Sequence, residues 1–553
     1  MQYDPRHLAA TRTTPQVSAT WQSIRMFSVA LCLVCLNLSN TFADWKDDIG
    51  YTQLWSMVGS SLPNGNGVPI SIVEAGSGTP SKYFPDTTND DFQADDDPLT
   101  SSVNFIDGSG MQSNGISNHA TNSVSRPFIG NTSSVAPGAN EVTVYEANHY
   151  LSSILRATGG AAPVSQPYRV QNFSWIGSYE NDSHDTSALR RFDFVIERDN
   201  ITAMVGLNNG ITSMPRLFAQ SYNSIAVGRS DGQHSTGLTD FSNYGPGRSK
   251  PDIVAPRGTT SASTATMSSV ATFLHSAVAG TDAAKSETMK AILMAGAIKD
   301  SPHFTSTWTH TPTQPLDDIF GAGEVNAYNS YLITQGGRFT GDAEVPTPVA
   351  SHGWDYQTIT GGSGNELEYL FSVPVGSTAT ELSILLDWNI DIPSGFNSQT
   401  LANFSLDLKD SSGQSIQTSN SAVDNVEHLY LTNLGPGEYT LSVASNMTHD
   451  FGLAWRTSTL FDFASADFDD DGDVDGRDFL TWQRGYGKLL GAAHSEGDAD
   501  GDGDVDADDI MVFHAQYGSP PELASALIFA VPEPSTLVLV TGGLFAFLLR
   551  RRR

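Results

Sequence analysis

The first half of the chain alternates short apolar runs with glycine-rich turns. After one such turn, apolar residues alternate at Val68, Ile70 and Ile72, and the acidic residue Glu74 follows. This alternation is typical of a β-strand, and its composition indicates a buried one. A further short apolar strand is predicted over Asp252–Ala255, followed by a tight turn and a helix built of small residues. The pattern therefore places several polar side chains directly after buried strands.

Beyond about residue 337 the pattern changes to short alternating segments separated by Gly, Pro, Ser and Asn turns. A series of this kind is typical of an antiparallel β-sandwich. No group of residues with catalytic character is visible in this part of the chain. The predicted strands are ELEYLFSV, ELSILLDWNI, NFSLDLKD, EHLYLTNL, EYTLSVAS and FGLAWRT.

The amino-terminal apolar run has the features of an export signal. The run covers Met26–Leu38, Arg25 precedes it, and Thr41-Phe42-Ala43 follows as a cleavage site of the small-x-small type. This pattern predicts a signal peptide over residues 1–43 that is removed at export. Both cysteines, Cys32 and Cys35, lie inside it, so the mature chain has no disulfide, no thiol catalyst and no cysteine zinc site.

The carboxyl-terminal apolar run carries a second targeting pattern. Thr536–Leu549 is short for a full membrane span, and four arginines, Arg550–Arg553, follow it. Together with Pro532-Glu533-Pro534, it resembles the PEP-type sorting signal of bacterial exported proteins, which implies a membrane sorting protease as a partner. An ordinary tail anchor is the alternative. Either reading predicts an exported protein, extracellular or associated with the cell envelope.

The charge of the chain excludes one class of partner. Asp and Glu total 61 against 29 Lys and Arg, a formal net charge of −32. Because nucleic-acid phosphates require a basic surface, we expect no nucleic-acid partner.

Part of this acidity lies in two short loops of equal length, DFDDDGDVDGRD (467–478) and DADGDGDVDADD (498–509). Each carries acids at positions 1, 3, 5, 9 and 12 and glycine at position 6, a spacing that wraps an oxygen-preferring cation such as calcium. A solvated acidic linker is the alternative. The candidate calcium ligands are Asp467, Asp469, Asp471, Asp473, Asp475, Asp478, Asp498, Asp500, Asp502, Asp504, Asp506 and Asp509.

Each acidic loop is followed by an apolar helix with the same aromatic-x-x-x-Tyr-Gly ending, in FLTWQRGYG and IMVFHAQYG. The duplication resembles type I dockerin repeats. That resemblance implies a small α-helical EF-hand-like module, a cohesin-like partner and a link to polysaccharide catabolism.

The segment NYGPGRSKPDIVAPRGTTSASTATMSSVATFL joins the strand at Asp252 to the small-residue helix. A serine at such a junction lies where backbone N–H groups converge, and the helix dipole favours negative charge there. The segment resembles the serine segment of the subtilases, and the match implies that Ser261 is the nucleophile. Ser263 is the nucleophile in an alternative register.

Two upstream blocks extend the resemblance. NGISNHATNSVSRPFIGNTSSVAPGAN resembles the subtilase histidine block and places His119 at the position of the general base. NGNGVPISIVEAG resembles the block of the orienting aspartate, and this chain has Glu74 at that position. A glutamate can hold the imidazole in the same tautomer, although its extra methylene requires a shifted backbone.

Two further blocks complete the expected site. AMVGLNNG resembles the subtilase segment of the oxyanion donor and implies this role for Asn208. VQNFSWIG resembles the edge strand that pairs with an extended substrate, so Ser174, Trp175 and Gly177 are the candidate substrate-binding residues.

The resemblance implies a three-layer α/β fold of the subtilisin type with a mostly parallel sheet and the site at the carboxyl ends of the strands. MKAILMAGAI and FGAGEVNAYNSY resemble closing elements of that fold. The predicted organisation is a signal peptide (1–43), a peptidase domain (44–336), a β-sandwich module (337–458), dockerin-like repeats (459–520) and a linker with the sorting signal (521–553). The sandwich resembles modules that follow many secreted proteases, and we expect its main role to be stabilisation of the protein.

The sequence therefore predicts an exported serine endopeptidase that hydrolyses protein or peptide substrates. Three features depart from the subtilase pattern: Glu74 in place of aspartate, Ala265 in place of a proline, and little room for a propeptide. These departures favour an alternative, a noncatalytic calcium-dependent surface adhesion or scaffold protein built on a degenerate subtilase domain. The complete set of His, Ser and Asn residues favours the enzyme.

Overall fold

The structure is a computed structural model, and it describes residues 44–94, 100–374, 377–461, 465–469, 471 and 473–517. The predicted signal peptide and sorting signal lie outside these residues. The α-helices are α1 (Trp45–Asp48), α2 (Tyr51–Val58), α3 (Arg126–Ile129), α4 (Ala147–His149), α5 (Asp182–Asp199), α6 (Thr260–Ala277), α7 (Ser286–Ala295), α8 (Ala327–Gly336), α9 (Gly476–Gly485) and α10 (Ala507–Gln516).

The strands are β1 (Ile70–Glu74), β2 (Asn104–Asp107), β3 (Glu141–Glu146), β4 (Val170–Phe173), β5 (Thr202–Gly206), β6 (Ile225–Arg229), β7 (Gly237–Leu238), β8 (Ser249–Lys250), β9 (Ile253–Ala255), β10 (Thr347–Pro348), β11 (His352–Ile359), β12 (Leu367–Val373), β13 (Ser377–Asp387), β14 (Phe404–Asp410), β15 (Ser415–Ser419), β16 (Val426–Leu434), β17 (Gly437–Ser445) and β18 (His449–Phe461). Single 3₁₀ turns cover Gly59–Ser61, Asp90–Phe92, Gln112–Asn114, Asp282–Ala284 and His494–Glu496, and π-helical turns cover Ala120–Ser125 and Tyr150–Ile154.

The central sheet has seven strands in the order β2-β3-β1-β4-β5-β6-β9. Every pairing within it is parallel. Strands β1, β4 and β5 are buried along their full length, as expected of a parallel sheet covered on both faces. The predicted α/β class with a parallel sheet is confirmed.

Helices cover both faces of this sheet. On one face, α6 packs with α7 and α8 against side chains such as Ile72 and Met204. On the other face, α5 packs through Leu189 and Phe192 against Val73 and other side chains that alternate with the first set. Alternate residues of one strand thus enter opposite cores, which gives three layers.

Helix α6 can lie in the centre of the domain because its residues are small. Its serine and threonine hydroxyls donate to backbone carbonyls one turn earlier, at 2.8 Å for Thr264 to Thr260 and 2.9 Å for Ser268 to Thr264. These bonds satisfy hydroxyl groups that would otherwise be buried without partners. Gly206 allows close approach to the sheet, because a Cβ there would lie 3.2 Å from the Thr264 hydroxyl.

The region after α8 forms two antiparallel sheets, ordered β10-β12-β17-β14-β15 and β11-β18-β13-β16, with β10 alone parallel to its neighbour. Side chains of both sheets, including Phe371, Leu406, Ile384 and Trp455, share one core. All six predicted strands of this region are present, and β10, β11 and β15 are additional. Polar residues interrupt the apolar pattern of β11, and β15 is a largely exposed edge strand.

The four-stranded sheet packs against helix α7 of the α/β region. Lys290 of α7 lies 3.0 Å from Asp387 of β13, and both side chains are buried. Arg456 of β18 donates to the carbonyl of Ala295 at the end of α7, at 3.1 Å. Polar contacts between buried groups therefore join these two parts of the chain.

The two acidic loops each lead into a short helix. Asp475 caps α9 and Asp506 caps α10, each in a reciprocal capping box with the aspartate three residues later. The second loop contacts α8, because the Tyr328 hydroxyl donates to Asp504 at 3.2 Å. Strand β18 continues past residue 458, and the predicted boundaries of the four regions after the signal peptide stay predictions.

None of the helices in the described part of the chain combines the length and the apolar character that crossing a membrane would require.

Candidate functional site

The candidate site lies at the carboxyl edge of the parallel sheet. Glu74 is the last residue of β1, Ser174 follows β4, and Asn208 and Asn209 follow β5. Ser261 lies in the first turn of α6, after the Thr259 cap. The carboxyl ends of neighbouring parallel strands meet at one edge, so these residues converge although they are far apart in sequence.

His119 bridges the other two residues of the predicted triad. Its Nδ1 lies 2.5 Å from Glu74 Oε1, and its Nε2 lies 2.9 Å from Ser261 Oγ. With the proton on Nδ1, the imidazole donates to the carboxylate and accepts from the serine hydroxyl. This is the arrangement of a nucleophile, a base and an orienting acid.

Burial and this contact shift both pKa values. Burial raises the pKa of Glu74, and the hydrogen bond from His119 opposes that rise. The same bond raises the pKa of His119 above its usual 6.5, and burial opposes this rise in turn. His119 remains partly open to solvent, whereas Glu74 is buried. The Glu74 carboxylate therefore contacts the imidazole and is shielded from solvent.

Ser263, the alternative nucleophile, lies elsewhere. Its hydroxyl donates to the carbonyl of Ala255 at 3.2 Å, and the residue is fully buried. Because two residues along a helix turn a side chain by roughly 200°, Ser261 and Ser263 point in different directions. The structure brings Ser261 to His119.

A second acidic residue ends the strand beside Glu74. Glu146 of β3 lies in register with Glu74, a position that sequence reasoning did not single out. Its carboxylate accepts from the backbone N–H of His149 at 2.8 Å and from the amide of Asn148 at 3.0 Å. Glu146 therefore caps the helix that follows it, and Glu74 is the acid that contacts the histidine.

The two asparagines after β5 have different partners. The Asn208 side-chain amide donates to Thr212 Oγ1 at 2.8 Å. The Asn209 side-chain oxygen accepts from the backbone N–H of Thr260, the residue before Ser261, at 2.9 Å. The structure therefore places Asn209, which the sequence comparison missed, beside the start of the serine helix. Two adjacent asparagines in Asn-Asn-Gly could not be told apart from residue type alone.

The predicted substrate-binding residues follow β4. The Ser174 carbonyl oxygen lies 3.3 Å from the Ser261 hydroxyl oxygen, and the Ser174 hydroxyl oxygen lies 3.1 Å from the Ser261 carbonyl oxygen. The Gly177 carbonyl accepts from the amide of Leu217 at 3.1 Å, so this carbonyl already has a partner within the chain. Trp175 packs edge-on against Phe218. Ser174 is thus adjacent to the nucleophile, and Gly177 is engaged in an internal bridge.

The acidic loops bring carboxylates together in three groups. The groups are Asp467, Asp469 and Asp471; Asp498, Asp500 and Asp509; and Asp504, Asp506 and Asp509, each with ligand atoms within 4.8 Å of one another. Burial, with repulsion from neighbouring aspartates, raises the pKa of Asp500 to about 7 and of Asp504 to about 8. Crowded carboxylates of this kind suit a hard divalent cation that prefers oxygen ligands.

The remaining loop positions have distinct surroundings. Asp473 is exposed in the first loop and Asp502 in the second. Asp478 accepts from the backbone N–H of Phe468 at 2.7 Å, and Asp509 accepts from Ala499 at 2.6 Å. The aspartates at position 12 therefore tie each loop to its helix through backbone bonds.

One family comparison bears on the carboxyl terminus. A PEP-CTERM protein-sorting motif matches residues 530–553. The motif indicates that the chain is exported and sorted to the cell envelope. Comparison with curated proteins gave no match.

Several solved structures are similar to the chain at low identity. A serine protease of Aeromonas sobria is 14% identical over 71% of this chain and 88% of that chain, with a TM-score of 0.31. The prenylagaramide maturation protease PagA is 16% identical over 51% and 98% of the two chains, with a TM-score of 0.35. The pre-peptidase C-terminal domain of a collagenase from Bacillus anthracis is 17% identical over 20% and 92%, with a TM-score of 0.16. Similarity at this level does not identify an activity.

Proposed function

We propose that the protein is an exported serine endopeptidase that hydrolyses peptide bonds through Ser261, His119 and Glu74. One observation carries the proposal: the His119 imidazole lies within hydrogen-bonding distance of both the Ser261 hydroxyl, at 2.9 Å, and the Glu74 carboxylate, at 2.5 Å. The sorting motif at residues 530–553 supports action outside the cytoplasm.

In the proposed reaction, Ser261 Oγ attacks the carbonyl carbon of the scissile peptide bond while its proton passes to His119 Nε2. The buried Glu74 carboxylate stabilises the imidazolium that forms. His119 then gives the proton to the leaving amine, the peptide C–N bond breaks, and an acyl-enzyme ester remains on Ser261. A water molecule, deprotonated by His119, hydrolyses the ester and restores the serine.

The oxyanion of the tetrahedral intermediate requires donors beside Ser261. We assign one donor to the backbone N–H of Ser261 in the first turn of α6, where N–H groups lack a carbonyl partner one turn earlier. We assign the second donor to the Asn209 side-chain amide, since the other end of the same carboxamide is fixed by Thr260. In the observed rotamer, the amide of Asn208 donates to Thr212. A side-chain donor in this position typically contributes about 10²–10³ in turnover.

The substrate backbone would pair with the segment after β4. Ser174 adjoins the nucleophile, and Trp175 and the exposed Ile176 follow it directly. The Gly177 carbonyl would have to leave Leu217 to accept from a substrate, so pairing near Ser174 and Trp175 suits the observed conformation better.

Labelling with a fluorophosphonate probe tests the proposed nucleophile. We expect the full chain to be labelled, with the adduct mapped to Ser261. Labelling should disappear in Ser261→Ala and fall sharply in His119→Ala. Ser263→Ala is the matched control, because this serine lies two residues away on the same helix and has no contact with His119 in the described residues. Persistent labelling of Ser261→Ala would reject the assignment.

The labelling experiment also decides between the enzyme and the noncatalytic alternative. A correctly folded chain that binds calcium but is not labelled, and that cleaves no peptide in an unbiased library, would favour an adhesion or scaffold protein. The contact of His119 with both partners favours the enzyme, since a structural histidine needs no serine hydroxyl on its second nitrogen.

We also propose that the two acidic loops bind calcium. The residues that fit it are the three carboxylate groups described above, and the ion would neutralise their mutual repulsion. A calcium titration of the full chain by calorimetry tests this, with Asp467→Asn and Asp498→Asn expected each to remove one site. Retention of both sites in the double variant would reject it. The cohesin-like partner and the link to polysaccharide catabolism stay predictions from the dockerin resemblance.

A further inference from the structure

A polar cavity of about 380 Å³ lies where helices α5 and α7 meet the antiparallel sheets. Its walls include Glu197 and Asn200 at the end of α5, Glu287 of α7, and Asn389 and Asp391 after β13. Asn200 comes two residues before the start of β5, so the cavity lies near the amino ends of the parallel strands. The triad lies at their carboxyl ends, so the cavity is not part of that site.

The cavity carries more negative than positive side chains. Four carboxylates line it, those of Glu197, Glu287, Asp391 and Asp450, against Lys285 and His449. Burial, together with Asp391 and Glu287, raises the pKa of Glu197 to about 7. This upward shift of the pKa reflects burial first, and the negative charge of the neighbouring carboxylates adds to it.

The two positive groups of the cavity are already engaged. The Lys285 ammonium lies over the ring of Tyr356, 5.2 Å from its centre. His449 Nε2 lies 3.5 Å from Asp391. In the described residues, Glu197 and Glu287 have no ion-pair partner within 4 Å. The buried Glu287 and the half-buried Glu197 therefore line the cavity without a direct ion pair.

Asn389 supplies an independent sign that the cavity takes a ligand. The residue is only 5% exposed and lines the cavity. Its side-chain amide donates to Ser286 at 2.8 Å and to Glu287 at 3.0 Å. These bonds fix which end is the oxygen, and that oxygen, Oδ1, has no hydrogen-bond partner among the described residues. A buried acceptor without a donor is uncommon in a folded protein.

The spacing of the carboxylates indicates what kind of cation would fit. Among the described residues, groups of three acidic or histidine ligands within 4.8 Å occur only in the two acidic loops. The cavity therefore lacks the compact group of carboxylates that the two acidic loops offer to a bare divalent cation. An ammonium or guanidinium group carries its charge on N–H donors, which can reach carboxylates farther apart.

We propose that this cavity binds a small organic cation, a ligand with an ammonium or guanidinium group. One N–H donates to Asn389 Oδ1, and Glu197 and Glu287 neutralise the charge. The volume is within the range of sites for small molecules. Because the cavity lies between the α/β region and the antiparallel sheets, a bound cation would also strengthen their contact.

Agmatine, which carries both groups, is a suitable probe. Calorimetry with the full chain in the Ser261→Ala background excludes self-digestion and makes the result independent of the proposed peptidase activity. We expect one agmatine site, with binding weakened about tenfold in Glu197→Gln and in Glu287→Gln. Glu344→Gln, an exposed acid of the antiparallel region, is the control and should bind as the parent does.

Thermal unfolding supplies a second readout. Without agmatine, Glu197→Gln should unfold at the same or a higher temperature than the parent, because repulsion among the carboxylates is relieved. Its stabilisation by agmatine should be smaller. Three results would overturn the proposal: no binding by the folded parent up to about 10 mM, unchanged affinity in both cavity variants, or displacement of agmatine by calcium when both acidic loops are inactivated.

Discussion

The side-chain oxygen of Asn209 accepts a hydrogen bond from the backbone N–H of Thr260, at 2.9 Å. This bond ties the loop after β5 to the first turn of α6, where Ser261 lies. It also determines the direction of the other end of the carboxamide, which is why we assign the oxyanion donor to Asn209.

This assignment predicts opposite outcomes for two adjacent asparagines. Asn209→Ala should reduce kcat about 10²–10³-fold with little change in KM, because the donor acts mainly in the transition state. Asn208→Ala removes only a bond to Thr212 and should reduce kcat much less. Steady-state kinetics on a peptide substrate measures both.

A conservative variant separates catalysis from positioning. Asn209→Asp keeps the oxygen that accepts from Thr260 and loses the amide donor. We expect its thermal midpoint to stay near that of the parent while kcat falls at least as far as in the alanine variant. If Asn208→Ala instead shows the large loss of kcat, the Asn208 side chain must rotate on substrate binding, and our assignment is wrong.

In the proposed peptidase reaction, Glu74 should control the pH dependence of kcat/KM. Because the hydrogen bond to Glu74 raises the pKa of His119 above 6.5, and only the neutral imidazole accepts the serine proton, kcat/KM should rise with pH through a value above 6.5. Glu74→Gln removes the charge that favours the imidazolium, so this rise should move to lower pH. The plateau should also fall, by about 10²–10⁴-fold.

A pH profile of kcat/KM for each variant measures the shift, and Glu146→Gln is the matched control. Glu146 ends the neighbouring strand in register with Glu74, but its carboxylate caps a helix. Its substitution should lower stability and leave the midpoint of the profile in place. If the midpoint moves equally in both variants, the His119 pKa depends on the total charge at the carboxyl edge of the sheet and not on the contact with Glu74.

The contrast between these residues shows what the sequence could and could not predict. Alternating apolar positions identified β1 and its terminal acid, and the small residues of α6 placed Ser261 at a strand-to-helix junction. Both predictions depend on the residue pattern within a single strand or helix, and that strand and that helix form as the pattern indicates. Asn208 and Asn209 have the same type and are neighbours, so only the path of the backbone after β5 distinguishes them.

The antiparallel region shows a similar limit. Its six apolar strands were predictable, whereas β11 was missed because Asp355, Gln357 and other polar residues break its alternation. Asp355 is buried and accepts from Arg338 at 3.0 Å and from Tyr369 at 2.8 Å. A buried polar network of this kind is stable only through partners that lie far away in sequence, which no local pattern contains.

The buried pair Lys290–Asp387 predicts how strongly the antiparallel sheets stabilise the α/β region. Asp387→Ala leaves a buried ammonium without its nearest carboxylate, 3.0 Å away, and should lower the free energy of unfolding by about 3–5 kcal/mol. The double variant Lys290→Met with Asp387→Leu should be far closer to the parent, because both charges are gone. Urea unfolding measures each value.

A surface pair supplies the comparison for this effect. Asp407 lies 3.6 Å from Lys409, and both side chains are about one-third exposed. Asp407→Ala should change the free energy of unfolding by no more than about 1 kcal/mol. If Asp387→Ala has an equally small effect, the interface between α7 and β13 does not depend on its buried charges.

Calcium should stabilise the α/β region through the second acidic loop. This loop is joined to α8 by the bond from Tyr328 to Asp504, and Leu489, between the two loops, packs on the core that contains α6 and α8. A cation bound only by the folded loop stabilises the folded state, including the parts that the loop contacts, by about 2.7 kcal/mol at a concentration one hundred times its dissociation constant.

Chelation should therefore lower the thermal midpoint of the whole chain, and Tyr328→Phe should reduce that calcium-dependent difference. Tyr517→Phe, in an exposed tyrosine of the same segment, should leave it unchanged. Calorimetric scans with and without chelator compare the three proteins, and an equal calcium effect in Tyr328→Phe would show that the bond does not transmit the stabilisation.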